Sequence, residues 1–278
     1  MNQSKAKKVI LITGASSGMG KETAKDLIHQ GHIVYCAARR TDKMQDLAEI
    51  GGKLMTLDIS KDEDIVSCVE KIIETEGRVD VLWNNAGFGL YGSVEETSLD
   101  DARYQFEVNL FGMARLTQLV VPHMRNKGSG TIINTSSIGG KIYAPLGAWY
   151  HASKHAVEGY SDCLRLELEP FGINVVVLEP GAIKTEFPEV MSKQVLGHSG
   201  SGPYQEMARR VSNLSLKESG LDGSGSPPSV ISKTIQTIIG SRKPKTRYAV
   251  GKFSTSTLVM RQILSDRTFD KVINSMVQ

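Results

Sequence analysis

Three side chains that could transfer a proton lie near one another in the sequence: Ser137, Tyr150 and Lys154. Tyr150 and Lys154 are four residues apart, and on a helix this spacing places two side chains on one face. A phenol has an ordinary pKa of about 10, and a nearby ammonium would lower that pKa toward the range useful for acid–base chemistry. A serine hydroxyl beside the phenol could hold a substrate oxygen. The residue types predict a proton-transfer site, although an exposed tyrosine and lysine one helical turn apart are also ordinary surface residues.

A glycine-rich turn follows the first apolar run of the chain. Residues 9–13 are apolar and β-branched without alternation, which predicts a strand buried on both faces of a parallel sheet. The turn TGASSGMG (13–20) and a helical pattern ending at Gly31 come next. This order is typical of pyrophosphate binding, because glycines allow close backbone approach and the helix N-terminus offers N–H groups. The spacing is GxxxGxG rather than GxGxxG, and a purely structural turn is the alternative.

Two arginines, Arg39 and Arg40, follow the predicted second strand at residues 32–38. A site for NAD usually carries a carboxylate here to bind the ribose hydroxyls. This chain has no carboxylate there to repel a 2′-phosphate, and two guanidinium groups could bind one. The pattern favours NADP(H) over NAD(H); the alternative is that both arginines are solvated surface residues.

Strands and helices alternate through the first two thirds of the chain. Further strands are predicted at residues 54–57, 79–83, 130–135 and 173–178, and further helices at residues 65–73, 100–124 and 149–171. This alternation predicts an α/β fold with a doubly wound parallel sheet. Ligands of such sheets bind outside the carboxyl ends of the strands. Residues that follow those ends are Gly14, Arg39, Asp58, Asn85, Ser137 and Pro180.

The pattern weakens after Thr185. Residues 186–228 are rich in Gly, Ser and Pro with one helical piece at 204–211, which predicts a mobile lid or specificity loop. A helix at 230–239, a strand at 247–250 and a terminal helix at 258–277 follow. The whole chain, 1–278, is therefore expected to be one domain with a core (8–185), a variable lid (186–228) and a C-terminal helix–strand–helix (229–278). Apolar lid residues suggest a hydrophobic substrate, although they could equally pack the lid onto the core: Phe187, Val190, Met191, Val195 and Leu196.

Composition narrows the possible functions. The 278 residues are 40% hydrophobic and 23% charged, which is typical of a soluble globular protein. A net charge of +3, spread along the chain, gives no indication of a nucleic-acid partner. The three cysteines form no CxxC pair, which fits a reducing cytoplasm. The apolar run after Lys5, Lys7 and Lys8 is too short for a signal peptide, and no run approaches the roughly 20 residues of a membrane span.

Taken together, the motifs resemble those of the short-chain dehydrogenase/reductase family. The resemblance covers roughly residues 8–185 and rests on TGASSGMG (13–20), Asp58, NNAG (84–87), Asn109, Ser137, YHASK (150–154) and PGAIKT (180–185). It implies a single Rossmann-type domain that transfers a hydride between NADP(H) and a carbonyl or alcohol. It also implies a homodimer or homotetramer formed through the helices at 100–124 and 149–171.

The same resemblance implies a role for each motif residue. Tyr150 would donate or accept the proton, Lys154 would lower its pKa and hold the nicotinamide ribose, and Ser137 would orient the carbonyl. Asn109 would hold a water molecule in a proton relay. The residues implied to bind the cofactor are Gly14, Ser16, Ser17, Gly18, Met19, Gly20, Arg39, Asp58, Ile59, Asn85, Ala86, Gly87, Tyr150, Lys154, Pro180, Gly181, Ile183 and Thr185. A purely structural role for Asn84 and Asn85 in a tight turn is the alternative.

Two other functions compete with hydride transfer. A non-catalytic NADP-binding sensor or scaffold would not need to keep the four polar residues Asn109, Ser137, Tyr150 and Lys154. A metal-dependent hydrolase or lyase could use His151 and His155, which have helical i, i+4 spacing. A zinc site needs further ligands and usually a neighbouring glutamate, and HASKH contains none. We therefore expect no metal.

Overall fold

The chain folds around one parallel β-sheet, seen in a computed structural model that describes residues 7–277; Lys5 lies outside them. The strands in this part are β1 (Val9–Thr13), β2 (Ile33–Ala38), β3 (Lys53–Thr56), β4 (Val81–Asn84), β5 (Gly130–Thr135), β6 (Ile173–Pro180) and β7 (Arg247–Val250). Their order is β3-β2-β1-β4-β5-β6-β7. The prediction of a doubly wound parallel sheet is confirmed.

Helices cover both faces of the sheet. In chain order they are α1 (Gly18–His29), α2 (Gln45–Glu49), α3 (Asp62–Glu76), α4 (Leu99–Phe106), α5 (Gly112–Lys127), α6 (Ala148–Leu168), α7 (Phe187–Ser199), α8 (Gln205–Ser219), α9 (Ser229–Gly240), α10 (Ser254–Ile263) and α11 (Asp266–Val277). None of these helices is long and apolar enough to cross a bilayer.

Alternating residues of the central strands enter two separate apolar cores. Val9 and Leu11 of β1 pack with residues of α3, α5 and α6, whereas Ile10 and Ile12 pack with residues of α1 and α9. All four side chains are buried. A strand covered on both faces needs apolar residues at every position, which is why this run shows no alternation in the sequence.

The strand order reverses next to β1, which pairs with β2 on one side and β4 on the other. In an open parallel sheet this reversal leaves a crevice at the carboxyl ends of the two strands, between loops that diverge to opposite faces. The glycine turn after β1 and the Asn-rich turn after β4 border this crevice.

Two predicted helices are each divided in the structure. The predicted helix at 100–124 is divided by a π-helical segment, Glu107–Phe111, in which Asn109 is buried. The predicted terminal helix at 258–277 is divided after Ile263, because Leu264 adopts an extended conformation with ψ 138°.

In α6, Leu166 is 65% exposed while Leu164 and Leu168 are buried, since residues two apart lie on opposite sides of a helix.

The expected lid loop, 186–228, is largely helical. Proline in the first turn of α7 fits the open N–H positions of a helix start. Met191 and Val195 of α7 pack with Ala208 and Val211 of α8 in a separate apolar cluster. Most of the Gly and Pro residues that predicted a loop lie in the connections around this helical pair, although Pro188 and Gly197 lie within α7. The composition of the segment therefore did not predict these two helices.

Candidate active site

Two adjoining cavities lie at the carboxyl ends of the strands. We call the one bordered by Arg39 and Arg40 the arginine cavity, with a volume of about 330 Å³. The one bordered by Tyr150 is the tyrosine cavity, of about 370 Å³. Both cavities share one wall, formed by Met19, Asn85, Gly87, Phe88, Thr185 and Phe187. The two cavities are therefore adjacent, and we call them together the crevice.

Nearly all of the predicted site residues line this crevice. The arginine cavity is lined by Gly14, Ser16, Ser17, Gly18, Met19, Arg39, Asp58, Ile59, Asn85, Ala86, Gly87 and Thr185. The tyrosine cavity is lined by Ser137, Tyr150, Lys154, Pro180, Gly181 and Ile183, in addition to the shared wall. Gly20 and Asn109 lie behind the walls, and their contacts are described below.

The glycine turn after β1 has the shape that a pyrophosphate requires. Gly14 and Gly18 have φ angles of +69° and +51°, a region that favours glycine. A methyl group on Gly20 would lie 2.4 Å from the carbonyl oxygen of Gly14, so helix α1 packs tightly under the turn. Ser17 precedes α1 without capping it through its side chain, which leaves the first N–H groups of the helix available to an anion. The residues present therefore fit a dinucleotide.

Asn85 fixes this turn to the neighbouring strand. Its Nδ2 donates hydrogen bonds to the carbonyl oxygens of Thr13 (3.0 Å) and Gly14 (3.4 Å). The Thr13 hydroxyl in return accepts from the backbone N–H groups of Asn85 and Ala86. Asn84 is buried and bonds Thr117 and Asn134. Both asparagines thus have structural contacts, and Asn85 also lines both cavities.

The two arginines that follow β2 line the arginine cavity. Arg39 Nη1 donates to the hydroxyl of Tyr104 at 3.2 Å. Arg40 Nη2 donates to Ser16 Oγ at 3.4 Å and lies 4.0 Å from a carboxylate oxygen of Glu186. Both side chains are exposed. Each guanidinium keeps N–H groups free for an anion at this end of the crevice.

Asp58 closes the same cavity at the end of β3. Its Oδ1 accepts from the backbone N–H and the hydroxyl of Ser60. Burial works to raise the pKa of Asp58, but the Ser60 hydrogen bonds and the nearby positive charge of Arg39 outweigh it, so the pKa lies below its ordinary value. Asp58 is therefore an ionised acceptor at neutral pH.

Ser137 and Tyr150 meet in the tyrosine cavity. Ser137 caps the short 3₁₀ turn Ile138–Gly140, and its Oγ accepts from the N–H of Gly139 at 3.0 Å. Tyr150, in the first turn of α6, is 7% exposed. Burial raises the pKa of Tyr150, and a hydrogen bond with Ser137 partly opposes this. The phenol is neutral at pH 7 and can act as a proton donor.

Lys154 lies one helical turn beyond Tyr150, with its Nζ 6.0 Å from the centre of the tyrosine ring. Nζ donates to the carbonyl oxygen of Thr135 at 2.9 Å. Burial lowers the pKa of Lys154 to about 8, while Glu158, on the next turn, opposes that shift. Burial raises the pKa of Tyr150 more than its hydrogen bond with Ser137 lowers it, and the expected lowering by Lys154 stays a prediction.

Asn109 joins the turn after β4 to helix α6 through side-chain hydrogen bonds. Its Nδ2 donates to the Phe88 carbonyl oxygen (3.0 Å) and to Ser153 Oγ (3.1 Å), and its Oδ1 accepts from the Phe88 N–H (3.1 Å). A methyl group on Gly87 would meet both Asn109 Oδ1 and Lys154 Nζ. The π-helical segment widens the helix at this position, which is how an amide inside a helix reaches these partners. Its predicted role in holding a water molecule stays a prediction.

Several residues that line the tyrosine cavity lie outside the sequence motifs, and of those described next only Phe187 was predicted, as an apolar lid residue. The rings of Tyr91 and Phe187 lie 5.5 and 5.6 Å from the Tyr150 ring and enclose it. Burial, with a smaller effect of Tyr150, raises the pKa of Tyr91 as well. Glu218 of α8 and Val277 of α11 also reach the tyrosine cavity. No spacing signal could have found them, because their elements come together only in the folded chain.

The two histidines considered as metal ligands bond to backbone instead. His151 Nδ1 lies 2.9 Å from the Gly139 carbonyl oxygen, and His155 Nδ1 lies 2.9 Å from that of His151. Across residues 7–277, no group of three or more His, Cys, Asp or Glu side chains could hold a metal ion. Helix geometry accounts for their i, i+4 spacing.

A parallel sheet with a glycine turn at its reversal point, beside a Ser–Tyr–Lys cluster, defines a dinucleotide-dependent oxidoreductase fold. The family model of short chain dehydrogenases matches residues 8–195. The 3-ketodihydrosphingosine reductase of Bacteroides thetaiotaomicron is 37% identical over 244 residues, which cover 87% of each chain. The chain belongs to the short-chain dehydrogenase/reductase family.

Solved structures agree with this assignment. A short-chain dehydrogenase from Streptomyces avermitilis superposes with a TM-score of 0.80 and 32% identity, covering 97% of this chain and 96% of its own. A serine dehydrogenase complexed with NADP⁺ has a TM-score of 0.74 and 25% identity, covering 87% and 94%. A family member from Burkholderia phymatum in complex with NAD has a TM-score of 0.78 at 22% identity, covering 96% and 95%, and supports the fold alone. A nicotinamide cofactor is thereby supported.

Proposed function

We propose that this protein is an NADP(H)-dependent oxidoreductase that transfers a hydride between the nicotinamide and a carbonyl or alcohol substrate. Tyr150 acts as the general acid–base. The observation that carries this proposal is the wall shared by the two cavities. A dinucleotide whose phosphates occupy the glycine turn would extend along that wall toward Ser137 and Tyr150, because the wall borders both cavities.

Ser137, Tyr150 and Lys154 each have a separate part in the proposed reaction. When bound, the nicotinamide cofactor supplies the hydride in the reductive direction. Ser137 Oγ accepts from the Gly139 N–H, so its own proton can be donated to the substrate oxygen. Tyr150, kept neutral by burial, transfers its proton to that oxygen as negative charge develops there. Lys154 holds positive charge beside the phenolate that results.

Contacts at the two ends of the crevice support the choice of NADP(H) and of a hydrophobic substrate. Arg39 and Arg40 line the arginine cavity directly after β2, where a site for NAD would usually carry a carboxylate. The tyrosine cavity has mostly apolar walls, including Met191, Val211 and Leu214. The name of the Bacteroides relative gives a ketone as its substrate, which is consistent with carbonyl reduction here.

We further propose a cytoplasmic homodimer or homotetramer formed through α4–α5 and α6. Phe111, in the segment between α4 and α5, is 55% exposed, and Leu166 of α6 is 65% exposed. Large exposed apolar side chains are typical of interfaces.

The proposed cytoplasmic location is supported by Cys36 and Cys68, which are buried, unpaired thiols and fit a reducing compartment.

Oxidation of NADPH in the presence of aldehydes, ketones, diketones, quinones and steroids tests the proposal, with Tyr150→Phe as the comparison. Turnover of one class that disappears in the variant would support a carbonyl reductase. Equal turnover by the variant would exclude Tyr150 as the acid. Binding of NADPH without turnover of any class would favour the sensor or scaffold instead.

A further inference from the structure

A third cavity lies at the amino ends of the strands, on the edge of the sheet opposite the crevice. Its volume is about 820 Å³, and we call it the basic cavity. Lys8 and Asp80 line it directly before β1 and β4, and Thr131 lines it at the start of β5. Thr135, at the other end of β5, lines the tyrosine cavity, and four residues of a strand span about 13 Å. The basic cavity is therefore separate from the crevice, and it shares no lining residue with either part of it.

Lysine and arginine side chains dominate the wall of the basic cavity. The described residues that line it include five of them and a single carboxylate, that of Asp80. The wall therefore carries an excess of four positive charges, although the whole chain has a net charge of only +3. A cleft lined by charges of one sign concentrates ions of the opposite sign. The five cations are Lys7, Lys8, Arg78, Lys127 and Arg242.

Asp80 positions two of these cations and leaves the other three without a carboxylate partner on the wall. Its Oδ2 accepts from the Val9 N–H at 2.7 Å and from Arg78 Nε at 3.1 Å, and its Oδ1 accepts from Lys127 Nζ. Burial works to raise the pKa of Asp80, but its hydrogen bonds, above all that from Lys127, outweigh burial, so the pKa lies below its ordinary value. Because Arg78 contacts Asp80 through Nε, its two Nη atoms are not used in this contact and can face an anion.

The remainder of the wall favours a polar, soluble ligand. Thr131 is 6% exposed; its hydroxyl has no hydrogen-bond partner among the described residues and is not fully enclosed, so it can donate to an anion. Within the described wall, Ile239 is the only residue with an apolar side chain, and it is 4% exposed. A lipid chain would therefore find almost no apolar contact in this cavity.

The size of the charge points to phosphate groups. A phosphate monoester carries a charge of about −1.5 to −2 at pH 7, so two of them balance an excess of four positive charges. Guanidinium and ammonium groups form charge-assisted hydrogen bonds with phosphate oxygens. We propose that the basic cavity binds a small soluble molecule that carries two or more phosphate groups. This site is independent of the proposed reductase function, because none of its residues belongs to the crevice.

Titration calorimetry with inorganic tripolyphosphate on the full-length protein is the test. Lys8→Gln combined with Arg242→Gln removes two cations of the wall and leaves the contacts of Asp80 intact. We expect this double variant to raise the tripolyphosphate Kd by about 10-fold or more at about 0.1 M salt, where charges within about 10 Å still interact. Saturating tripolyphosphate should also raise the unfolding temperature of the unmodified protein more than that of the double variant.

Lys71→Gln combined with Arg209→Gln is the matched control. Both residues are exposed and line none of the three cavities, so this pair makes the same change in net charge away from the basic cavity. The Kd should stay nearly unchanged, and thermal unfolding without ligand checks that each variant is folded. No binding by the unmodified protein, or an equal loss of binding in the control pair, would overturn the inference.

Three further comparisons identify the site and the ligand class. Arg39→Ala combined with Arg40→Ala should leave the binding that depends on Lys8 and Arg242 in place; loss of all tripolyphosphate binding in this variant would assign the anion to the crevice instead and refute the inference. Citrate should bind about 5-fold or more weakly than tripolyphosphate, since each of its carboxylates carries a single charge, and equal binding would refute the phosphate class. Vesicles of phosphatidylglycerol should not sediment the protein, and sedimentation that is lost in the Lys8 and Arg242 double variant would mean that the cavity binds a lipid headgroup rather than a soluble molecule.

Discussion

Replacing the two arginines after β2 tests the cofactor preference. Arg39 donates one hydrogen bond to Tyr104, and its charge also acts on the Asp58 carboxylate without forming a close ion pair. Arg40 shares its charge with Glu186 at 4.0 Å, and its side chain is 49% exposed. A bound 2′-phosphate would gain from each guanidinium, but Glu186 and solvent reduce the gain at Arg40. We therefore expect Arg39→Ala to weaken NADPH binding more than Arg40→Ala does.

The exposure of the two arginines determines how much each of them contributes to the free energy of NADPH binding. Two unit charges 4 Å apart interact by about 1 kcal/mol in water and by about 4 kcal/mol at the effective dielectric constant of a protein surface. Because both side chains are exposed, we take about 1–2 kcal/mol for Arg39, which corresponds to roughly a 5- to 30-fold increase in the NADPH Kd. Salt should shrink the effect, since exposed charges are screened.

Fluorescence titration with NADPH and NADH is the assay. The unmodified protein should bind NADPH more tightly, and Arg39→Ala should raise the NADPH Kd while leaving the NADH Kd nearly unchanged. Arg103→Ala is the control, because Arg103 is exposed and pairs with Asp100. Tighter binding of NADH by the unmodified protein, or an equal loss for both cofactors in Arg39→Ala, would refute the reasoning.

Three further changes probe the site, the core and the interface. Tyr150→Phe keeps the ring that packs on Tyr91 but removes the proton, so kcat should fall by about 10²- to 10⁴-fold with NADPH binding retained. Burial and the nearby Glu158 raise the pKa of Glu179 from 4.5 to about 7. The native state thus holds that proton more tightly than the unfolded state, and the free energy of unfolding should fall as pH rises from about 5 to 7, by up to about 3 kcal/mol; urea unfolding should show this slope lost in Glu179→Gln. Leu166→Glu should convert an oligomer into smaller species in light scattering.

Each of these has a result that would contradict it. Undiminished kcat in Tyr150→Phe would mean that another group supplies the proton. A slope of unfolding free energy against pH that is the same in Glu179→Gln would assign the titration to a different carboxyl. If Leu166→Glu leaves the mass of the particle unchanged, the exposed face of α6 is not an interface.

The sequence predicts the central strands of this protein better than its outer elements. β1 and β5 appear in the sequence with the bounds seen in the structure, β1 as an almost continuously apolar run and β5 as a β-branched run that also contains Asn134. The helical pair α7 and α8 does not, because its stability depends on Met191 and Val195 meeting Ala208 and Val211. These contacts join separate segments, and the Gly-rich connections between them dominate the local composition.

The electrostatics of the site also depend on contacts between segments that are separate in the sequence. Spacing alone predicts that Tyr150 and Lys154 share a helix face, and they do. It does not reveal how far burial raises the pKa of Tyr150 or that Lys154 is bonded to Thr135. Both effects depend on Tyr91, Phe187 and the end of β5, which surround the pair only after folding.

The two parts of the crevice are built differently. This difference explains why the reaction class can be predicted from the sequence and the substrate cannot. On the cofactor side, Thr13, Asn85 and Asn109 bond to backbone groups, so a short motif fixes the position of whole turns. Those bonds preorganise the site before any ligand binds, and preorganisation is what acid–base catalysis requires. On the substrate side, α7, α8 and α11 contribute side chains rather than backbone clamps. Such walls can change residue by residue while the motif residues stay in place, which is why no motif identifies the residues that form them.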